Sequence, residues 1–226
     1  MKMSTDKMTN QDTPNVSEAV IRRLPRYYRY LGELCGKGVL RVSSAELSRL
    51  MRVTSSQIRQ DFNCFGGFGQ QGYGYNVRYL YNKISELLGV NACFTGVVIG
   101  AGNLGRALLS SPMFQKRGVV IAGVFDNDPN VIGTVVSDHP VMDVKDCASF
   151  FDSIHVDFAI LTVPRAVANE TAEEMARLGI PGIWNFSNAE IDADALGVIV
   201  ENVHMSDSLM RLMYRLNGKK EEQKKE

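Results

Sequence analysis

The chain of 226 residues is 45% hydrophobic and has a formal net charge of zero, which is typical of a globular protein with one large domain or two modest ones. It has no apolar run long enough to span a membrane and no Cys-x-x-Cys pair among its four cysteines, so neither a membrane protein nor a cysteine-based metal site is expected. Residues 1–90 carry 13 Lys and Arg against 7 Asp and Glu, whereas residues 91–226 carry 12 against 18. This asymmetry favours a nucleic-acid module joined to a domain of another kind, although chance explains the charge alone equally well.

The first helices precede the part of the chain in which a DNA-binding pattern is recognisable. Residues 1–16 are polar and are predicted to form a disordered tail, and residues 17–90 are predicted to form one module. Ser17 can cap a first helix, and Pro25 suits the first turn of a second helix that extends to Cys35.

Two capping boxes follow, and each opens a short helix. They are Ser43-Ser-Ala-Glu46, which opens the helix 44–51, and Thr54-Ser-Ser-Gln57, which opens the helix 55–63. In the first of these helices, Leu47 and Leu50 are expected to face inward. Two short helices joined by a tight turn predict a helix-turn-helix.

The phase of the second helix indicates which side chains face outward. Ile58 and Phe62 lie four residues apart and are expected to face the core, with Asp61 close to that side. The opposite face is predicted to bind DNA, because its side chains can hydrogen-bond base edges or phosphates and include no Glu. These residues are Ser56, Gln57, Arg59, Gln60 and Asn63. The alternative is a solvated polar face on a small helical domain.

A glycine-rich segment with interleaved aromatic residues occupies positions 65–75 and suits the β-ribbon wing of a winged helix. Gln70, Gln71 and Tyr73 would then meet the phosphate backbone or the minor groove, and a hinge between domains is the alternative. A closing helix is predicted over residues 77–88. Its inward-facing residues are expected to be Leu80, Ile84, Leu87 and Leu88.

The second half, residues 91–203, opens with a pattern typical of dinucleotide binding. A strand over residues 94–99 enters a turn with the spacing Gly-x-Gly-x-x-Gly and leaves as a helix over residues 103–109. The glycines permit a tight turn, a close approach of pyrophosphate and close helix packing. The predicted cofactor-binding residues of the turn are Gly100, Ala101, Gly102, Asn103, Leu104 and Gly105.

Two other positions are predicted to complete the cofactor site. Asp126 ends the next strand, where an acidic side chain takes the adenosine ribose hydroxyls and repels a 2′-phosphate, which favours NAD over NADP. Val163 and Pro164 end a later apolar strand, at the edge of the sheet where the nicotinamide would lie.

Strands and helices alternate through the rest of this half, which predicts an α/β domain with a Rossmann-like parallel sheet. The predicted elements are a strand near Val135, a helix over 143–151, a strand over 156–163, a helix over 166–178, and strands over 182–186 and 197–200. A last helix is predicted over residues 204–217, followed by a frayed charged tail over 218–226. Its apolar stripe, which packs either on its own sheet or on a partner subunit, includes Leu209, Leu212, Met213 and Leu216.

Nothing in the sequence indicates a catalytic site. A dehydrogenase needs a substrate domain and an acid or base group, yet only one helix and a tail follow the last strand. His139 is expected in a turn, His155 before a strand, and neither has an evident carboxylate partner. We therefore expect a regulatory protein, with a small NAD-dependent oxidoreductase and a CoA- or nucleotide-binding module as the alternatives.

With both halves considered, the chain resembles the Rex family of bacterial redox-sensing transcriptional repressors from about Ser17 to Leu216. The order and spacing of the matching segments make this more specific than either motif alone. The segments are Arg23-Leu-Pro-Arg-Tyr-Tyr-Arg29, Arg41-Val-Ser-Ser-Ala-Glu-Leu47, Gln57-Ile-Arg-Gln-Asp61, Phe65-Gly-x-Phe-Gly69, Gly72-Tyr-Gly-Tyr75, Gly100-Ala-Gly-Asn-Leu-Gly105, Phe125-Asp-x-Asp-Pro129, Thr162-Val-Pro164, Gly179-Ile-Pro-Gly-Ile183, Asn185-Phe186 and Glu201-Asn-Val203.

The resemblance implies a cytoplasmic homodimer with winged-helix heads and Rossmann bodies, in which the C-terminal helix and its stripe are exchanged between subunits. It further implies that the free or NAD⁺-bound protein binds an inverted-repeat operator, and that NADH closes the Rossmann domains and releases the DNA without being turned over. Gly67 and His204 depart from the family pattern, in which both positions are usually acidic. His204 could alter the coupling between NADH and DNA release and make it sensitive to pH.

Overall fold

The computed structural model describes residues 16–65, 69–70 and 73–223. The chain divides into two compact units between Asn91 and Ala92, one residue from the predicted boundary. The predicted tail falls outside the described residues as far as position 15. Its last residue, Val16, packs against the core of the first unit.

The first unit is a helical domain with a small antiparallel sheet, and this arrangement is a winged helix. Its elements are α1 (Glu18–Ile21), α2 (Leu24–Gly36), β1 (Arg41–Val42), α3 (Ser44–Met51), α4 (Ser55–Asn63), β2 (Gly69–Gln70), β3 (Gly74–Asn76) and α5 (Val77–Leu87). The strand order is β1-β3-β2, so the ribbon of β2 and β3 follows directly on the helix-turn-helix of α3 and α4. The predicted winged helix-turn-helix is confirmed.

One core joins the four longer helices of this unit. Tyr27 and Leu31 of α2 meet Leu47 of α3, Ile58 of α4 and Leu80 of α5, and all five are fully buried. Burying a large apolar side chain contributes about 1.5–3 kcal/mol, so these contacts fix the position of α4 on the other helices.

Some details of the first unit differ from the prediction. Leu50 is exposed and Met51 is buried in its place, because Met51 lies four residues after Leu47 and shares its face of α3. Leu87 is likewise exposed near the end of α5. The Ser17 side chain makes no capping hydrogen bond, so that expected cap is also wrong.

The second unit is a seven-stranded sheet flanked by helices, with the order β10-β9-β8-β4-β5-β7-β6. Its elements are β4 (Phe94–Ile99), α6 (Asn103–Leu109), β5 (Val119–Asp126), β6 (Val135–Val136), β7 (His139–Asp143), α7 (Cys147–Ser153), β8 (Phe158–Leu161), α8 (Ala168–Arg177), β9 (Gly182–Asn185), α9 (Ala193–Leu196), β10 (Ile199–Asn202) and α10 (Met205–Gln223). Every neighbouring pair is parallel except β6 and β7. The predicted Rossmann-like parallel sheet is confirmed.

The central strand shows why this sheet is covered on both faces. Along β4, Val97 and Ile99 belong to one buried cluster, whereas Val98 between them belongs to the other. The chain crosses from one side of β4 to the other between β7 and β8. A ligand crevice forms at such a switch point, outside the carboxyl ends of β4 and β8.

Some predicted boundaries in this unit were wrong. His139 starts the strand β7, and Asp143 ends it, so the helix predicted from 143 begins only at Cys147, after a short 3₁₀ turn. Pro140, which cannot donate a backbone hydrogen bond, suggested a turn, but it is tolerated in β7 beside the short strand β6. Gly197 ends the unpredicted helix α9 at φ +65°, so β10 starts two residues later than expected.

The last helix is longer and more exposed than expected. It continues to Gln223 instead of ending at Asn217, because the single Gly218 costs only about 1 kcal/mol and is followed by good helix formers. Residues 218–223 of the predicted tail are therefore helical, and residues 224–226 lie outside the described residues. No helix of the described ranges is long and apolar enough to cross a lipid bilayer.

The apolar stripe of α10 does not pack on its own sheet. Its four predicted dimerisation residues are each 50–58% exposed in the single chain, namely Leu209, Leu212, Met213 and Leu216. A contiguous exposed apolar face of this kind is typical of an interaction surface. The alternative of packing on the same sheet is thereby contradicted.

Candidate DNA-binding and dinucleotide-binding sites

The candidate recognition helix α4 is positioned by a tight turn and a cap. Arg52 ends α3 in the left-handed region at φ 52°, and the Thr54 hydroxyl then accepts a hydrogen bond from the backbone N–H of Gln57 at 3.1 Å. Only this half of the predicted capping box exists. The side chain of Gln57 turns instead toward Asp61, where its Nε2 donates to Oδ1 at 2.8 Å.

The outward face of α4 carries most of the residues predicted to bind DNA. Ser56, Arg59, Gln60 and Asn63 are exposed. The guanidinium of Arg59 donates to the hydroxyl of Ser56 at 3.1 Å and to that of Ser44 at 3.3 Å. Among the described residues it has no acidic partner, so its charge is not neutralised by the protein.

Gln57 lies at the edge of this face, because it is half-buried and its amide nitrogen is engaged within the fold. It belongs to a group that we call the Asp61 cluster: Arg23, Tyr27, Gln57 and Asp61. The carboxylate of Asp61 is fully buried and accepts from Arg23 Nε at 2.7 Å, Arg23 Nη2 at 2.8 Å and Tyr27 Oη at 2.7 Å. The cluster ties α2 to α4, and the expected core-side placement of Asp61 is confirmed.

The charge state of Asp61 follows from these contacts. Burial opposes its ionisation, but the hydrogen bonds from Arg23, Gln57 and Tyr27 outweigh burial and lower the pKa of the carboxyl group below its ordinary value. Asp61 is therefore a carboxylate at neutral pH, and it pairs with the positive charge of Arg23.

We expect acid to loosen the first unit through Asp61. Because the pKa of Asp61 is lower in the folded state, this group stabilises the fold fully above its unfolded pKa of about 3.9, and the stabilisation is lost as the pH falls through the folded pKa. Amide hydrogen exchange in α4, measured at several pH values, reports this unit separately. Asp61→Asn should lose about 3–5 kcal/mol at neutral pH and show a weaker acid dependence, whereas the exposed Glu18→Gln should match the parent chain. An equally steep acid dependence in Asp61→Asn would contradict the assignment.

The candidate wing is formed by β2 and β3. Tyr73 lies between them and is 70% exposed, and the guanidinium of Arg41 lies 5.7 Å from its ring centroid. The same guanidinium donates to the backbone carbonyl of Tyr73 at 3.2 Å. Gln70 is the last residue of β2, whereas Gln71 and Gly67 lie outside the described residues.

The three glycines of the second unit's turn have different surroundings. Gly100 has φ +102°, and a Cβ there would lie 3.0 Å from the backbone carbonyl of Thr162. A Cβ on Gly105 would lie 2.1 Å from the carbonyl oxygen of Gly100, so this position admits no side chain. A Cβ on Gly102 would have no atom within 4 Å. Gly100 and Gly105 are therefore needed for the fold, while Gly102 keeps the cleft open.

A cleft of about 1020 Å³ lies next to this turn. Six of the predicted cofactor-binding residues line it, namely Gly100, Gly102, Leu104, Asp126, Val163 and Pro164. Ala101 and Gly105 are buried behind its wall, and Asn103 is exposed at the start of α6. The volume is at the upper end of the range for small-molecule and cofactor sites.

Asp126 is held at the mouth of this cleft by backbone contacts. Its Oδ2 accepts from the N–H of Ala101 at 2.7 Å, and its Oδ1 accepts from the N–H of Asp128 at 2.9 Å. Each carboxylate oxygen has a second lone pair. The carboxylate can therefore accept hydroxyl groups of a ligand without leaving the glycine turn.

Two residues that support the turn were not predicted as site residues. The Thr162 hydroxyl donates to the carbonyl of Gly100 at 2.6 Å, and Arg106 Nε donates to the carbonyl of Ala101 at 2.8 Å. Both contacts hold the shape of the turn. Thr162 directly precedes Val163, so its place at the strand end could have indicated this role.

A second missed group connects the cleft to the last strand. Asn185 is buried; its Nδ2 donates to the carbonyl of Ala189 and to Asn202 Oδ1, both at 2.7 Å. Its Oδ1 accepts from the hydroxyl of Ser187, which lines the cleft, at 2.6 Å. Its backbone carbonyl accepts from the N–H of Val203 at 2.8 Å. One buried amide thus joins the cleft wall to the root of α10.

The histidines are placed differently from expectation. His155 does have a carboxylate partner, because its Nε2 lies 3.1 Å from Asp157 Oδ1, but the other oxygen of Asp157 accepts from the N–H of Thr95 and the pair lies outside the cleft. His204 Nε2 lies 3.3 Å from Oε1 of Glu190, an exposed residue of the loop after Ser187.

The two units define a class of protein, a transcriptional regulator with a winged helix followed by a Rossmann-type nucleotide-binding sheet. Residues 15–63 match the family described as putative DNA-binding protein N-terminus, and residues 94–189 match the CoA binding domain family. Curated Rex repressors match almost the whole chain: that of Caldanaerobacter subterraneus subsp. tengcongensis is 50% identical over 89% of this chain and 90% of its own length. The Rex repressor of Caldicellulosiruptor bescii is 49% identical over 91% of this chain and 94% of its own length. The chain belongs to the Rex family of redox-sensing transcriptional repressors.

Solved structures agree with this assignment. RSP, described as a Rex-family repressor, has a TM-score of 0.85 and 46% identity, covering 92% of this chain and 97% of its own. RSP in complex with β-NAD⁺ and operator DNA has a TM-score of 0.83 and 49% identity over 92% and 96%. RSP in complex with β-NADH has a TM-score of 0.84 and 45% identity, covering 94% of this chain and 99% of its own. The expectation of a regulator and not an enzyme is confirmed by these relatives.

Proposed function

We propose that this chain is a homodimeric repressor that binds an inverted-repeat operator when free or loaded with NAD⁺ and releases it when NADH binds. The observation that carries the proposal is the combination, in one chain, of an α4 face without exposed acidic side chains and a cleft built on a dinucleotide-type glycine turn. The RSP structures with NAD⁺ and operator DNA and with NADH support it. Regulation of DNA by a cytoplasmic nucleotide pool makes the cytoplasm the proposed location.

On the DNA side, α4 would enter the major groove with its first turns against base edges. Arg59 would supply the unneutralised positive charge, and the polar side chains of Ser56, Gln60 and Asn63 would surround it. Arginine contacts both guanine edges and phosphates, so it adds affinity as well as register. On the wing, Gln70, Gln71 and Tyr73 would contact the backbone or minor groove.

On the cofactor side, the pyrophosphate would lie over Gly102, where the free N–H groups of the first turn of α6 attract an anion. Asp126 would accept the adenosine ribose hydroxyls, and its negative charge would disfavour the 2′-phosphate of NADPH and the phosphorylated ribose of CoA. The nicotinamide would reach toward Val163 and Pro164, where the presence or absence of its positive charge distinguishes NAD⁺ from NADH.

Coupling between the two ligands requires two states of the dimer. The exposed stripe of α10 would pack on the partner subunit, and NADH would favour the closed arrangement in which the two heads no longer match the half-sites. To change the population ratio from 1:99 to 99:1, NADH must bind the closed state about 10⁴-fold more tightly than the open one.

The test is operator release measured against NADH. A labelled inverted-repeat duplex, selected by the chain from a random pool, is titrated with protein, and NADH is then added at several fixed NAD⁺ concentrations. We expect release at low NADH, a midpoint that rises with NAD⁺, and little release by NADPH or CoA at equal concentration. Unchanged operator affinity at saturating NADH would contradict the sensor mechanism. Tight binding of CoA without binding of NADH would favour the alternative of a CoA- or nucleotide-binding module.

A further inference from the structure

The Asp61 cluster imposes a fixed orientation on one side chain of the candidate recognition helix. Gln57 is the third residue of α4, in the first turn, whose side chains contact base edges in helix-turn-helix proteins. Unlike its exposed neighbours Ser56 and Gln60, it makes a hydrogen bond through its Nε2 to a fully buried carboxylate.

The carboxylate determines which end of the Gln57 carboxamide faces it. Asp61 is ionised and can only accept hydrogen bonds, so it requires the amino end. The reversed amide would put its carbonyl oxygen against a buried negative charge. Asp61 itself cannot turn away, because Arg23 holds both of its oxygens and Tyr27 holds one of them.

The carbonyl oxygen of Gln57 is left available on the outside. Oε1 has no hydrogen-bond partner within the described residues. In that part of the chain, every buried side-chain oxygen or nitrogen atom of a half-buried residue has a partner, so Oε1 is not a buried atom. Oε1 is therefore reached by solvent. Gln57 thus presents a preset acceptor beside Arg59, a donor, on the same turn of α4.

We propose that Asp61 is a positioning residue that presents Gln57 Oε1 as an acceptor to the major groove, so that Gln57 selects a base bearing an amino group there, adenine or cytosine. Guanine and thymine offer only acceptors at this edge to a hydrogen-bonding side chain. On adenine, the second hydrogen of Nε2 could also reach N7. This inference rests on the proposed DNA-binding function.

The experiment is a selection from duplexes that hold an inverted repeat with randomised half-sites, using the full-length chain and sequencing the bound fraction. The parent chain should enrich adenine or cytosine at one position of each half-site. The variant Gln57→Met, whose side chain is similar in length but has no hydrogen-bonding groups, should lose the base preference at that position. The expected loss is roughly 2- to 12-fold in the ratio of preferred to disfavoured bases, the range for one hydrogen bond. Tyr27→Phe, which weakens the cluster but keeps the Asp61–Gln57 contact, should leave that preference unchanged.

Asp61→Asn also destabilises the first unit, so the readout of its positioning role is the base preference of the bound duplexes and not the affinity. An asparagine accepts or donates, so either orientation of Gln57 becomes possible, and guanine or thymine should be admitted at the same position. In the parent chain, one Gln57 Nε2 proton should also be protected from solvent exchange in side-chain NMR spectra, a measurement that needs no variant.

Four outcomes would overturn the inference. They are an unchanged preference in Gln57→Met, a preference for guanine or thymine at the affected position, equal exchange of both Nε2 protons, and the same loss of preference in Tyr27→Phe. If the parent chain enriches no sequence at all, it is the proposed DNA-binding function that fails, and this inference fails with it.

Discussion

Gly102→Val is expected to block operator release at NADH concentrations just sufficient for the parent chain, while leaving the fold and the operator affinity intact. The position has φ −70° and ψ −170°, which any residue adopts, and a Cβ there meets no atom within 4 Å. The added methyl groups would instead fill the space over which the pyrophosphate is proposed to lie, and overpacking of about 1–3 kcal/mol corresponds to roughly 5- to 150-fold weaker binding. Binding is measured by energy transfer from the single tryptophan, Trp184, to NADH.

Gly105→Val is the matched variant with the opposite expectation. Its Cβ would lie 2.1 Å from the carbonyl oxygen of Gly100, so the turn and α6 must move apart at a cost of about 3 kcal/mol or more. The second unit should melt at a lower temperature in Gly105→Val and at the parental temperature in Gly102→Val. A Gly102→Val protein that releases its operator at the same NADH concentration as the parent chain would contradict the cofactor assignment.

Leu212→Glu in the stripe of α10 is expected to convert the protein to a monomer and to weaken operator binding strongly. A glutamate in the middle of an apolar interface should cost about 2 kcal/mol or more, which is roughly 30-fold in the dimer dissociation constant. Losing the simultaneous use of two half-sites removes a further factor of about 10²–10⁴ in apparent operator affinity. Sedimentation velocity reports the mass and a duplex titration reports the affinity.

Tyr214→Glu provides the control on the same helix. Tyr214 is 83% exposed and lies on the opposite side of α10 from Leu209, Leu212 and Leu216. This variant should remain a dimer with parental operator affinity. A dimeric Leu212→Glu protein, or equal weakening by both substitutions, would contradict the assignment of the stripe to the subunit interface.

Features with local causes were predictable from the sequence. The capping box of Ser43 and Glu46 forms as expected, because its two hydrogen bonds join residues three positions apart. The helix over 103–109 has its predicted bounds, since glycines and an apolar strand fix where the turn begins and ends. The parallel sheet followed from alternating strands and helices, whose crossovers obey general rules.

Features that depend on distant partners were not predictable. The expected capping box is incomplete because the side-chain amide of Gln57 bonds Asp61 instead. The charge and position of the Asp61 carboxylate depend in turn on Arg23, 38 residues away. Likewise, the buried amide of Asn185 bonds Asn202 of β10, 17 residues away, as well as Ser187 and Ala189 of the loop that follows it. The spacing of apolar residues predicts whether a segment is a helix or a strand, but it does not predict which side chains of other segments contact it in the folded protein.

The contacts of Asn185 also determine how a movement of the cleft wall is transmitted to α10. They clamp Asn202 and Val203, immediately before a 19-residue helix that would be about 28 Å long. A tilt of about 5° at this root would carry the far end of α10 by about 2.5 Å, comparable to half a helical turn. A displacement at the cleft wall too small to disturb the core would therefore be magnified along α10 before it reached whatever that helix touches.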